Sequence, residues 1–285
     1  MKKIILILII ITTLSGCTLF KRDNMENINI ITTIYPIEYI TNYIYGNNSN
    51  ITSIYPDDID TNTYKLTDKQ YSDGSNKDLF IYMGKTDSDI AVELINRNKK
   101  IKLIDATYGM EYKKDITELW LNPTNLLMIA QNIRNGLNEY IDNSFLKQEI
   151  NDKFDELKLI ISEVDANYKT TIENANKKTI YTNSNAFLFL EKYNLNVIVV
   201  NKTHDLFEKN LALLNNAIEN NNVKYFFYLE DTETDEEIKK LVEDNKLTTQ
   251  EFKNLKNITD TERNQKTSYE DLMKENLEVL KKEIY

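Results

Sequence analysis

Residues 146–172, LKQEINDKFDELKLIISEVDANYKTTI, decide the fold. Leu146, Ile150, Phe154, Leu157, Ile161, Val164, Tyr168 and Ile172 recur every three or four positions, which places them on one face of a helix. No Pro or Gly interrupts the segment. It should run for about 30 residues, or about 45 Å at 1.5 Å per residue. A helix of that kind is either a coiled-coil stalk or a strut between domains, and its flanks distinguish the two.

On both sides short β-branched or aromatic runs alternate with helical stretches. Candidate strands before the helix are Ile28–Tyr35, Ile51–Tyr55, Leu79–Tyr82 and Lys102–Asp105. After it they are Thr179–Thr182, Val197–Val200, Lys224–Leu229 and Phe252–Leu255. Such alternation predicts an α/β protein with parallel sheets covered by helices. The strand-rich flanks favour the strut. The chain closes with Thr267-Ser268-Tyr269-Glu270, a capping-box pattern, then an amphipathic run carrying Leu272, Met273, Asn276, Leu277 and Leu280.

The N-terminus is a separate signal. Lys2 and Lys3 precede an apolar run from Ile4 to Thr13, too short to cross roughly 30 Å of hydrocarbon. The run ends in Leu14-Ser15-Gly16-Cys17, which resembles a bacterial lipobox; the alternative is an ordinary secretory signal beside a chance cysteine. Cleavage before Cys17 would leave its thiol to carry lipid, each buried CH₂ contributing about 0.8 kcal/mol to anchoring. Cys17 is the only cysteine, which excludes a disulfide framework and a zinc–cysteine site. Lys21 to Asn27 reads as a polar tether. The expected divisions are a signal peptide (1–16), a lipidated tether (17–27), an N-terminal lobe (28–142), a linking helix (143–176) and a C-terminal lobe (177–285).

Charge narrows the function. Removal of residues 1–16 takes away two lysines and no acid, so the net charge falls from −10 to −12. That disfavours nucleic acid and a polybasic membrane-binding face. Neither a G-x-S-x-G elbow nor an H-E-x-x-H helix occurs, and the single histidine, His204, cannot build a histidine-rich centre. The chain is expected not to be an enzyme.

Several blocks resemble the substrate-binding lipoproteins of zinc and manganese ABC importers. They are Ile31-Thr32-Thr33-Ile34-Tyr35-Pro36; Ile54-Tyr55-Pro56 with Tyr64 and Thr67; Asp78-Leu79-Phe80-Ile81-Tyr82-Met83-Gly84; and Leu119-Trp120-Leu121-Asn122-Pro123. Val223-Lys224-Tyr225-Phe226-Phe227 and Ser268-Tyr269 through Leu277 continue the match in the second half. All three prolines fall in these blocks. The resemblance implies two lobes, each a four-stranded parallel sheet flanked by helices, joined by one long rigid helix with the ligand cleft between them. It also implies an ABC permease as partner and a lipid-anchored monomer on the outer face of the cytoplasmic membrane.

That family holds its metal with imidazoles and carboxylates. The matching positions here carry Asn62, two before Tyr64; Glu118, two before Trp120; Ser184, within Thr182-Asn183-Ser184-Asn185-Ala186-Phe187; and Thr267, two before Tyr269. Only Glu118 is a strong donor for a divalent transition metal. The expectation is therefore no metal cofactor, neither Zn²⁺ nor Mn²⁺ being held with high affinity. The function expected is that of a metal-importer binding protein with substituted ligand positions; the alternative is a metal-independent member that binds another small ligand or a protein partner. Tyr35, Tyr64, Trp120, His204 and Tyr269 are candidate cleft-wall residues. The aromatic ones either stack on an organic ligand or form an ordinary wall, and His204 either faces the cleft or sits exposed in its loop. Asp57, Asp58 and Asp60 either lean into the cleft or form a solvated loop, and Glu230 and Asp231 share that ambiguity.

Overall fold

The computed structural model describes residues 23–111 and 115–285. Cys17 and the signal segment lie outside these residues. In the N-terminal lobe, β1 (Ile28–Thr32), β2 (Ser49–Ser53), β3 (Leu79–Tyr82) and β4 (Lys102–Asp105) form a parallel sheet ordered β2-β1-β3-β4. The crossovers are α1 (Tyr35–Tyr45), α2 (Asp68–Ser75) and α3 (Ser88–Arg97). Then α4 (Glu118–Leu121) and α5 (Pro123–Tyr140) lead to α6 (Ser144–Glu173).

The C-terminal lobe repeats the arrangement. β5 (Thr179–Thr182), β6 (Asn196–Val199), β7 (Tyr225–Leu229) and β8 (Thr248–Phe252) are parallel in the order β6-β5-β7-β8. A 3₁₀ helix (Asn185–Tyr193), α7 (Phe207–Glu219) and α8 (Glu236–Asp244) connect them, and α9 (Asp260–Gln265) and α10 (Tyr269–Ile284) close the chain.

The strut is one helix of 30 residues, and its buried residues are the eight apolar positions of the periodic segment. Asn143 caps it by accepting from the Phe145 and Leu146 N–H groups at 2.9 and 3.4 Å. Asp23 fixes the approach, accepting from the N–H groups of Asp142 (2.8 Å) and Asn143 (2.7 Å). The helix packs on α1 and α5 at one end and on α10 at the other. One apolar cluster therefore runs from Ile30 and Ile37 through Leu157 and Ile161 to Phe227 and Leu280. Burial of each such side chain stabilises by about 1.5–3 kcal/mol. A stalk would leave that face for another chain; here both lobes cover it.

Strand boundaries differ from the expected ones where polar sequence forms an edge. β1 stops at Thr32 because Pro36, lacking an N–H and with φ preset, stands in the first turn of α1. β2 is Ser-Asn-Ile-Thr-Ser, and β8 is Thr-Thr-Gln-Glu-Phe, ending where a strand was expected to begin. Edge strands are paired on one side only, and their exposed positions carry no apolar pattern to read. Gly84, with φ +43°, ends β3, and a Cβ there would come within 2.6 Å of the Asp105 carboxylate.

Candidate functional site

The C-terminal ends of the strands in both sheets face each other across the inter-lobe boundary, where open α/β sheets hold ligands. A cavity of about 240 Å³ lies there, walled by Ile34, Tyr55, Asn62, Asp87, Trp120 and Lys256 among others. A second hollow of about 200 Å³ adjoins Asp60, Glu230, Asp231 and Asn254.

Three aromatic residues join the lobes beside this cavity, and of them Trp120 lines it. Trp120, 1% exposed, donates from Nε1 to the Asn254 carbonyl at 2.6 Å. Its own carbonyl accepts from the Tyr269 hydroxyl at 2.8 Å. The Tyr35 hydroxyl donates to the Thr267 carbonyl at 2.8 Å. Burial pushes the Tyr35 and Tyr269 phenols well above their ordinary range, so both remain protonated donors. Each of these bonds spans the two lobes. Tyr64 instead donates to Gln70 at 3.1 Å and meets Tyr55 edge-on. His204 is half-buried and accepts from the Leu206 N–H through Nδ1 at 3.1 Å, which makes it a turn residue ahead of α7.

The four positions matched to family ligands do not share contacts with one another. Asn62 bridges the lobes: its Nδ2 donates to the Asp231 carbonyl at 3.3 Å, and its Oδ1 accepts from the Lys256 ammonium. Ser184 is buried, accepts from the Ala186 N–H at 3.1 Å and donates to Asp115 Oδ2 at 3.2 Å. Glu118 is half-buried at the first position of α4. Thr267 engages the opposite lobe through its carbonyl, the acceptor for Tyr35.

The acidic loop is structural rather than loose. Asp57 and Glu38 both pair with Arg263, with Glu38 at 2.7 and 3.0 Å and Asp57 Oδ1 at 2.8 Å. Asp58 accepts from the Asp260 N–H at 2.9 Å, and Asn257 Nδ2 donates to the carbonyls of Pro56 and Ile59 at 3.0 and 2.9 Å. Asp60 holds its own turn, accepting from the Asn62 N–H at 2.8 Å.

Lys256 is the residue that motif reading missed. Its N–H donates to Asn254 Oδ1 at 2.7 Å and its carbonyl accepts from the Tyr35 N–H at 2.9 Å. Asn254 is itself fixed by Glu230 and Asp231, and Leu255 adopts a left-handed φ of 59°, costly for a residue with a Cβ. The side chain thus enters the cavity from a pinned backbone. Burial pulls the ammonium's pKa below the usual lysine value, against the opposing pull of Asp115, Asp60, Asp231 and Asp87. Burial also raises the carboxyl of Asp87, although a backbone bond to the Met83 N–H at 3.0 Å and the Thr33 hydroxyl favour its charged form. A signal for Lys256 did exist. With β8 ending at Phe252, residues 253–259 become the loop at a strand's C-terminal end; a strand drawn to Leu255 hid that.

Among the described residues, no group of three or more His, Cys, Asp or Glu side chains is drawn together closely enough to hold a metal ion. The cavity offers amide, hydroxyl and carboxylate oxygens around one ammonium.

The family model for the zinc-uptake complex component A, periplasmic (ZnuA), matches residues 30–283. The chain belongs to this family. It is 22% identical to the zinc-binding protein AdcA of Streptococcus pyogenes over 98% of its own length, and it spans 61% of the length of that relative. It is also 22% identical to the high-affinity zinc uptake system protein ZnuA of Bacillus subtilis, with 90% of this chain and 87% of that one covered. Among solved structures, the metal-dependent lipoprotein YcdH of Bacillus subtilis superposes with a TM-score of 0.74 at 20% identity, covering 90% of this chain and 99% of that one. The Zn(II)-bound ZnuA-like domain of Streptococcus pneumoniae AdcA gives 0.72 at 20% identity, with coverage of 90% and 99%. The two-lobe fold with its connecting helix is that of these proteins. These findings correct the expectation that no metal attends the chain. Donor types at four positions argued against a metal, but the family is one of zinc-uptake components and its solved relatives include Zn(II)-bound proteins.

Proposed function

We propose that this chain is the extracytoplasmic cargo-binding component of a zinc-uptake importer and that the inter-lobe cavity receives the metal. The observation that carries the reading is the position of the cavity. It lies between two sheets of the same topology, at their strand ends, and is lined by oxygen-bearing side chains of the N-terminal lobe, among them Tyr55, Asn62 and Asp87, with Lys256 reaching in from the C-terminal lobe. Asn62, Glu118, Ser184 and Thr267 mark the cleft positions, and Asp115, held by Ser184, is the carboxylate added to them. Oxygen ligands suit harder cations better than they suit zinc. Manganese is therefore the second cargo to measure.

The role is carriage and not catalysis. The protein acts as a monomer beside an ABC permease, anchored by lipid on Cys17, with the lobes divided at residues 142 and 177 by the linking helix. Titration calorimetry of the purified chain with Zn²⁺ tests the cargo: one ion bound per chain is expected, and no saturable heat with either Zn²⁺ or Mn²⁺ would overturn the reading. Mass spectrometry of the membrane-fraction N-terminus tests the anchor. An acylated Cys17 is expected, lost in Cys17→Ala, and an unmodified Cys17 would contradict it.

A further inference from the structure

We propose that Lys256 is a tethered cation that competes with the metal for the cleft and thereby sets its affinity. The proposal rests on the cavity being the cargo site. Three observations lead to it. The ammonium lies in the inter-lobe cavity, bonded to Asn62, which occupies one of the family's ligand positions. Its backbone is pinned on both sides, by Asn254 on its own lobe and by Tyr35 on the other, so the side chain is aimed rather than adrift. The carboxylates whose charge acts on it, Asp60, Asp87, Asp115 and Asp231, come from both lobes.

A cation entering this space meets a positive charge already in place. Two like charges a few ångströms apart repel strongly in a partly buried setting, where water screens them less. The metal must therefore displace the ammonium from Asn62 Oδ1, freeing that oxygen as a ligand. The competition also gives selectivity, because a monovalent ion gains too little from the carboxylates to move a covalently tethered competitor.

The test is zinc calorimetry on four proteins: the parent chain, Lys256→Met, Lys256→Gln and Lys256→Arg, each first shown to be folded by its circular dichroism melt. The two neutral variants should bind zinc about tenfold tighter or more, and Lys256→Arg, which keeps the charge, should stay near the parent value. Gln, shorter and polar, keeps the test open if Met disturbs the loop. Equal affinity in all four would overturn the competition while leaving the cargo site intact. Weaker binding in the neutral variants would also overturn it, by making Lys256 a supporting residue. Absence of binding in all four, the parent included, would remove the cargo reading itself and the competition with it.

Discussion

The two lobes share one strand order and differ in the helix that succeeds the first strand of each. After β1, the N-terminal lobe turns at Thr33-Ile34 into the eleven-residue α1, started by Pro36 and packed against the linking helix. After β5, the C-terminal lobe turns at Asn183-Ser184 into a nine-residue 3₁₀ helix. Long 3₁₀ runs are uncommon. This one survives because Ala186, Phe187, Phe189, Leu190 and Tyr193 are buried, and because Asn194 tolerates the left-handed φ of 66° that ends it. The difference decides what each lobe gives the cleft. The N-terminal lobe supplies a rigid wall through Ile34, Tyr55 and Trp120, together with the loop that carries Asn62. The C-terminal lobe supplies Lys256 from the loop after its last strand, and Ser184 stands in the turn after its first. The lobes are twins in topology and complements in chemistry.

If the wall is what joins these unlike halves, Trp120→Ala should be the most damaging single change. It removes a fully buried indole and its bond to the Asn254 carbonyl, at a cost of about 3–5 kcal/mol. Chemical denaturation should report that loss. A drop below about 1 kcal/mol would mean the lobes are held elsewhere. A break in the strut comes next. Val164→Pro removes a backbone hydrogen bond and clashes with the preceding turn, costing about 3 kcal/mol or more. Small-angle scattering should show the angle between the lobes altered, and an unchanged profile with unchanged stability would contradict a continuous helix. Arg263→Ala sharpens the comparison at the rim. It strips the clamp between Glu38 and Asp57 and leaves a carboxylate with 7% side-chain exposure unpaired, for about 2 kcal/mol after solvent screening of the half-exposed arginine. Melts at rising salt concentration should narrow the gap between variant and parent.

The smallest effect concerns the anchor of the strut. Burial raises the Asp23 carboxyl, but the N–H groups of Met25, Asn143 and Asp142 outweigh it and hold the pKa below the ordinary carboxylate value. A depressed folded pKa contributes stability above the unfolded value of about 3.9, lost as pH falls through the folded one. Urea denaturation of the parent and Asp23→Asn should therefore differ by about 1 kcal/mol near neutral pH and converge in acid. A constant difference across the range would remove Asp23 from the pH dependence.

The eight buried positions of the strut and three of the eight described strands, Leu79–Tyr82, Lys102–Asp105 and Thr179–Thr182, were legible to the residue because apolar periodicity is a local property. The polar edge strands β2 and β8 were not: β8 draws its place from pairing with β7, which no local pattern encodes. The same slip hid Lys256. Of the residues expected along the cleft, Trp120 lines the cavity; the bonds by which Trp120, Tyr35 and Tyr269 join the lobes depend on carbonyls far apart in sequence. The metal expectation rested on donor types at four aligned positions, and the match to a zinc-uptake family overturned it. Lys256 enters the cavity from a loop outside the motifs.

Crystals grown with zinc and measured at the zinc absorption edge test the central claim directly. The account predicts a single anomalous peak in the inter-lobe cavity, beside Asn62, Asp115 and Ser184, with the Lys256 ammonium withdrawn. A peak anywhere else, or a zinc-free cleft with Lys256 still bonded to Asn62, would contradict it.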